Sequence, residues 1–144
     1  MNFVLIAVGR AKPGPERTLF EHYRSRLQWT LDLREIDERK LRDASLITSH
    51  VPKGALTIVL DERGKSLGSE ALAKQIGNWQ DNGRHDAAIL IGGADGHAEN
   101  TRRSADLLLS LGAMTWPHML VRGLIAEQLY RAECILANHP YHRA

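Results

Sequence analysis

The chain has one cysteine, Cys134, among its 144 residues. A lone thiol forms no internal disulfide, so the fold must rest on its core, and this usage fits a reducing cytoplasm. Long apolar runs are also missing. None approaches the ~20 residues needed to span a bilayer, so no membrane partner is expected. The opening MNFVLIAVGR has no basic stretch before its apolar run. It reads as a first strand rather than a signal peptide. An excess of one charge is absent too: 19 Lys and Arg face 17 Asp and Glu, leaving a net charge of +2. A pI near 8.9 is compatible with a nucleic-acid partner but does not demand one. There is no repeat, linker or low-complexity tract. The G-x-G-x-x-G fingerprint and the G-x-x-x-x-G-K-[ST] phosphate loop are both missing, which argues against a dinucleotide-dependent oxidoreductase and a P-loop enzyme.

What is present is an ordinary core for one domain spanning residues 1–144, with 43% apolar and 25% charged residues. Strand and helix patterns alternate, which is the signature of an α/β fold. Asn2–Val8 is a nearly continuous apolar run, as in a strand buried on both faces. Leu19, Phe20, Tyr23 and Leu27 recur at helical spacing across 16–29. Thr30–Ile36 alternates apolar and polar, which suits a half-exposed strand toward the sheet edge. The stretch from Asp37 to Lys53 reads as a loop and a short helix ending near Pro52, and its mixed charges read as a solvated helix face, with an RNA contact as the alternative. Ala55–Asp61 reads as a buried strand, Glu62–Ser69 as a turn-rich loop, and Ser69 as the cap of a helix carrying Leu72, Ile76 and Trp79.

Chemistry is expected in the last third. Ala87–Ile91 is a buried strand running straight into Gly92-Gly93-Ala94-Asp95-Gly96. Glycines let a ligand approach the backbone closely, and open α/β sheets bind ligands at the carboxyl ends of their strands. Asp61 ends the preceding strand, where a carboxylate could accept from a ribose or a cationic ligand. Leu107–Leu111 is a further strand, followed by the compact loop Gly112–Pro117. A helix from Pro117 and His118 to about Asn138 carries Val121, Ile125, Leu129, Ala132 and Leu136 on one face. Glu127 and Arg131 form an i,i+4 pair that reads as structural, and Cys134 reads as a small buried hydrophobe. The ending His139-Pro140-Tyr141-His142-Arg143 has three readings: a frayed terminus, half of a metal site, or a substrate-contacting tail. The two histidines alone do not make a metal site, and none is expected.

The segments IGGADG, LSLGAMTWPH and RGLIAEQLYRAECILANHPYHRA together resemble the SPOUT-class ribosomal RNA large subunit methyltransferase H family. VLIAVGR and LDERGKSLGSEALA are similar to that family's first strand and its L-D-x-x-G-K-x-x-x-S loop. The resemblance covers nearly the whole chain and is weakest in the charged centre. It implies a parallel-sheet SPOUT fold with a C-terminal trefoil knot, a homodimer in the cytoplasm, and S-adenosylmethionine as cofactor. It implies methylation of N3 of a pseudouridine in 23S rRNA. The implied cofactor residues are Leu60, Gly93, Gly112, Ala113, Met114, Thr115, Trp116 and Pro117. The implied catalytic residues are Tyr141, His142 and Arg143, supplied to the partner's site across the dimer. Many relatives carry a serine where Gly112 stands, which removes a hydroxyl here but keeps the turn.

Pseudouridine N3 is a protonated imide, so a general base or a hydrogen-bond relay is expected. His142, or a water ordered by Tyr141 and His142, is the candidate, with His118 as the alternative and Arg143 as a contact to the RNA backbone. Mild basicity in a small chain predicts recognition of an assembled ribosome rather than strong autonomous RNA affinity. A non-enzymatic flavodoxin-like or receiver-like module is the rival reading, and it leaves the glycine loops and the tail without purpose.

Overall fold

A computed structural model describes residues 1–143. They fall into two compact units. The first comprises Met1–Arg10, Asp32–Ser66 and His85–Met114; the second comprises Ala11–Leu31, Leu67–Arg84 and Thr115 onward.

The first unit is built on a sheet of β1 (Asn2–Val8), β2 (Thr30–Ile36), β3 (Leu56–Lys65), β4 (Asp86–Ile91) and β5 (Leu107–Leu109), in the order β2-β1-β4-β3-β5. β1 pairs parallel with β4 from Asn2 opposite Asp86 to Ala7 opposite Ile91. β3 pairs parallel with β4 and with β5. The unbroken apolar run in β1 follows from its place inside the sheet. Val4, Ile6 and Val8 join Ile36, Ile47, Val59, Ala88 and Leu90 in one core cluster, while Phe3, Leu5 and Ala7 on the other face are equally buried. Side chains alternate faces along a strand, so burial of both sets requires apolar residues throughout. Each fully buried Leu, Ile or Phe contributes roughly 1.5–3 kcal/mol. The alternating β2 lies at the sheet edge, as its pattern predicts.

Two expectations change here, the end of β3 and the length of β5, while the short helix expected before Pro52 is present as a 3-10 helix. The charged stretch after β2 forms two 3-10 turns, Glu38–Lys40 and Ala44–His50, each started by an aspartate side chain: Asp37 accepts from Arg39 N–H and Asp43 from Ser45 N–H. β3 runs on to Lys65 instead of stopping at Asp61. Leu60 and Lys65 both pair with Leu109, so residues 61–64 bulge out between them. Gly64 makes this possible, because a Cβ there would lie 2.6 Å from the Leu108 backbone. β5 is correspondingly short, ending at Leu109. The polar segment before it forms a short helix, α3 (Glu99–Ser104).

The second unit holds α1 (Pro15–Arg24), α2 (Ser69–Asp81) and α4 (His118–Leu136). Pro15 starts α1, where its missing N–H costs nothing. The helix ends five residues before the expected Trp29, because the amides of Gln28 and Trp29 donate to the Glu133 carboxylate of α4 instead of continuing it. Gly68, not Ser69, caps α2, and the Ser69 hydroxyl donates to Gln128 on α4 at 2.7 Å. α1 and α2 both pack on α4. Gly123 admits Leu19, whose Cδ2 lies 2.7 Å from where a Cβ would be. The core face of α4 is broader than its leucine stripe suggests. Ile125, Leu129 and Ala132 are buried as expected, and so are Arg122 and Cys134, whereas Leu136 is 39% exposed.

Candidate active site

Parallel pairing sets the carboxyl ends of β4, β3 and β5 side by side, with Val59 opposite Leu90 and Leu60 opposite Leu109. Three of the implied cofactor positions lie along these strands: Leu60 sits within β3 just before its bulge, Gly93 follows β4 and Gly112 follows β5. The β4 loop is a tight turn: Gly96 N–H donates to Gly93 O at 3.0 Å. A Cβ on Gly92 would lie 3.0 Å from the Gly96 backbone, so the turn leaves little room for a side chain there, and Gly96 itself takes a φ of 72° that favours glycine.

The loop after β5 turns at Gly112, whose φ of 106° is open to glycine and strained for other residues. A serine at this position would carry that strain. The Ser110 hydroxyl lies in the turn instead, donating to Gly112 O at 3.2 Å and accepting from Gly112 N–H at 3.1 Å. Ala113 and Met114 then run exposed, Met114 at 79%. Thr115, Trp116 and Pro117 belong to the second unit and lead into α4. They are exposed too, Trp116 at 42%. His118 is the first residue of α4 and is half-buried.

Asp61 is not available as a ligand contact. Its side chain is 7% exposed and pairs with Arg102 at 3.6 Å, and its Oδ1 accepts from Arg63 N–H at 2.9 Å. Arg102 also donates to His97 O, which ties the end of β3 to the glycine loop and α3. His97 is buried, with Nε2 3.3 Å from Leu90 O. Burial holds the imidazole below its usual range, favouring the neutral ring. This brace sits directly under the loop that carries Gly93.

Glu38 is a residue that periodicity missed. Read as part of a solvated charged face, it instead reaches the β4 loop. Its Oε1 accepts from Ala94 N–H at 3.3 Å and lies 2.8 Å from where a Cβ of Gly93 would be. Gly93 thus admits a carboxylate to the loop backbone.

The tail is anchored rather than frayed. Tyr141 O–H donates to Glu127 Oε1 at 2.9 Å, and the same oxygen accepts from Arg131 Nε at 2.9 Å. Arg131 Nη1 lies 3.0 Å from His142 Nδ1, and His142 Nε2 lies 3.4 Å from Glu70 Oε1. The Arg131 guanidinium sits 4.9 Å from the Tyr141 ring centroid, and Tyr130 meets that ring edge-on at 4.7 Å. Burial, with hydrogen bonds to Tyr23 and Glu127, pushes the Tyr141 hydroxyl well above its ordinary range, so it stays a donor. The Glu127–Arg131 pair is therefore more than a helix-surface ion pair: it is what the tail is fastened to. Arg143 remains exposed.

A cleft of about 390 Å³ in the first unit is lined by Arg63, Gly64, Lys65 and residues 105–108, and by none of the implied site residues. Among the described residues, no group of three or more His, Cys, Asp or Glu side chains is arranged to hold a metal. None of their helices is long and apolar enough to cross a membrane.

Residues 1–142 match the family model described as a predicted SPOUT methyltransferase. The chain is similar to three proteins named ribosomal RNA large subunit methyltransferase H. That of Rhodospirillum centenum is 57% identical over 152 aligned residues, covering 100% of both chains. Those of Paramagnetospirillum magneticum and Rhodospirillum rubrum are each 50% identical, covering 99% and 100% of both chains. A full-length match at this identity, on a parallel sheet with glycine loops at its carboxyl edge, places the chain in the SPOUT-class ribosomal RNA large subunit methyltransferase H family.

Proposed function

We propose that this protein transfers a methyl group from S-adenosylmethionine to N3 of a pseudouridine in 23S rRNA, acting on the assembled ribosome. The observation that carries the reading is the pinned tail, Tyr141 and His142 on Glu127 and Arg131, in a chain that also matches the family from end to end. In this reading one cytoplasmic domain over residues 1–144 forms a homodimer with a C-terminal trefoil knot, and each tail serves its partner's cofactor loops.

The residues present fit the cofactor. Gly112 leaves its loop backbone open, with nothing within 4 Å of where a Cβ would be, whereas Gly93 lets its loop backbone lie against Glu38 and Val8, and Ala113–Pro117 continue the Gly112 loop as exposed chain. Leu60 adds apolar surface, and Glu38 brings a carboxylate suited to a cationic ligand. When bound, S-adenosylmethionine supplies an electrophilic methyl on its sulfonium. Tyr141, His142 and Arg143 bind and orient the nucleotide: the phenol and imidazole offer hydrogen bonds and a stacking face, and Arg143 a phosphate contact. Holding two reactants in register accounts for much of the acceleration expected.

Calorimetric titration with S-adenosylmethionine and with NADH tests the cofactor assignment. Binding of NADH without S-adenosylmethionine would sink it. Deleting residues after His139 should abolish transfer and spare cofactor binding. Equal activity on protein-free rRNA and on ribosomes would count against the assembled substrate.

A further inference from the structure

The contact between Arg131 and His142 determines which ring nitrogen of His142 carries the proton. A guanidinium only donates. With Arg131 Nη1 3.0 Å away, His142 Nδ1 must present its lone pair, so the neutral ring carries its hydrogen on Nε2. Nε2 faces the carboxylate of Glu70 at 3.4 Å. Arg131 is itself held by Glu127, which binds its Nε and Nη2 and also takes the Tyr141 hydroxyl. The His142, Glu127 and Arg131 side chains are only 17%, 16% and 24% exposed. The one basic lone pair of the imidazole therefore points at a cation and is unavailable to a substrate proton.

We propose that His142 serves the reaction as a hydrogen-bond donor through Nε2–H, and that Arg131 and Glu127 are positioning residues that fix this tautomer. The proposal rests on the methyltransferase reading and deepens it. Pseudouridine N3 lies between two carbonyls. When its N–H bond breaks, the proton passes to solvent hydroxide and the electron pair stays on the imide, with negative charge spread onto both carbonyl oxygens. A preorganised N–H aimed at one of those oxygens stabilises that charge where it develops. Nε2 exchanges the Glu70 carboxylate, which is 68% exposed, for the substrate oxygen. Glu70 then marks the direction from which the nucleotide arrives.

Two measurements on the full-length protein test this. Nitrogen-15 NMR of the ring should show Nδ1 unprotonated and Nε2 protonated in the wild type, and Arg131→Met should convert this to a tautomer mixture. Single-turnover methyl transfer to ribosomes lacking the modification gives the second readout. His142→Ala should lose on the order of 10²–10³-fold, the usual cost of one such donor. His142→Gln, whose amide N–H₂ reaches the place of Nε2, should recover to within about tenfold of wild type, because a donor is restored. Cofactor affinity should not move in either variant. A ring protonated on Nδ1, or a glutamine variant as inactive as alanine, would overturn the donor role. Wild-type protein that binds S-adenosylmethionine but transfers nothing to ribosomes would overturn the proposed function, while the NMR result would still report the tautomer independently.

Discussion

Substituting Glu127 by alanine removes the group on which the tail is fastened. Its Oε1 accepts from Arg131 Nε and Nη2 and from the Tyr141 hydroxyl, and its Oε2 accepts from Gln128. An exposed ion pair contributes about 0.2–1 kcal/mol, whereas breaking a buried one costs roughly 3–5 kcal/mol. With the two side chains 16% and 24% exposed, Glu127→Ala falls between these limits, at about 2 kcal/mol. Tyr141→Phe loses one charge-assisted bond, worth about 1.5 kcal/mol. Because both variants delete the same bond, the double variant should cost about 1 kcal/mol less than the sum of the singles. Urea unfolding followed by tryptophan fluorescence at fixed protein concentration measures all three. Strict additivity would show that Tyr141 is not bonded to Glu127 in solution, and the fastened-tail account would fail.

Other perturbations give equally definite outcomes. Gly64→Ala would drive a methyl against the Leu108 backbone, which cannot swing aside as a side chain can, so a loss of about 3 kcal/mol or failure to fold is expected in the same assay. Gly93→Ala meets the flexible carboxylate of Glu38 first, so it should cost about 1–2 kcal/mol, and Glu38→Ala in the same chain should recover most of that; no recovery would contradict the contact. His97 is held neutral by burial, below its ordinary 6.5. The unfolded chain therefore takes up a proton at a higher pH than the folded one, and stability should fall as pH drops below about 6.5. His97→Gln should flatten that part of the unfolding free-energy profile, and an unchanged slope would place the titrating group elsewhere.

The strands were legible wherever both faces are buried. β1 and β4 announce themselves as unbroken apolar runs, and β2 as an alternating edge. α4 was legible as a long periodic stripe, but the burial of Arg122 within it was not, because periodicity ranks residues by type and ignores the partners a fold supplies. The extension of β3 to Lys65 depends on Gly64 pressing against β5, and Glu38 reaches a glycine loop 56 residues away. Contacts of that range leave no local period. The glycine loops could be placed after β4 and β5 from the apolar runs before them, whereas the ion pair that covers Asp61 could not, because its partner Arg102 lies on a different element. The tail changed most. Its residue types suggested chemistry, but only the structure shows Glu127 and Arg131, a pair readable as ordinary helix support, gripping Tyr141 and His142.

The central claim is tested most directly by transfer of an isotopically labelled methyl group to ribosomes lacking the modification, followed by mapping of the modified nucleotide. The account predicts label at N3 of a single pseudouridine in 23S rRNA, dependent on S-adenosylmethionine and lost on deletion of the residues after His139. Label on another nucleotide, or undiminished transfer without the tail, would contradict it.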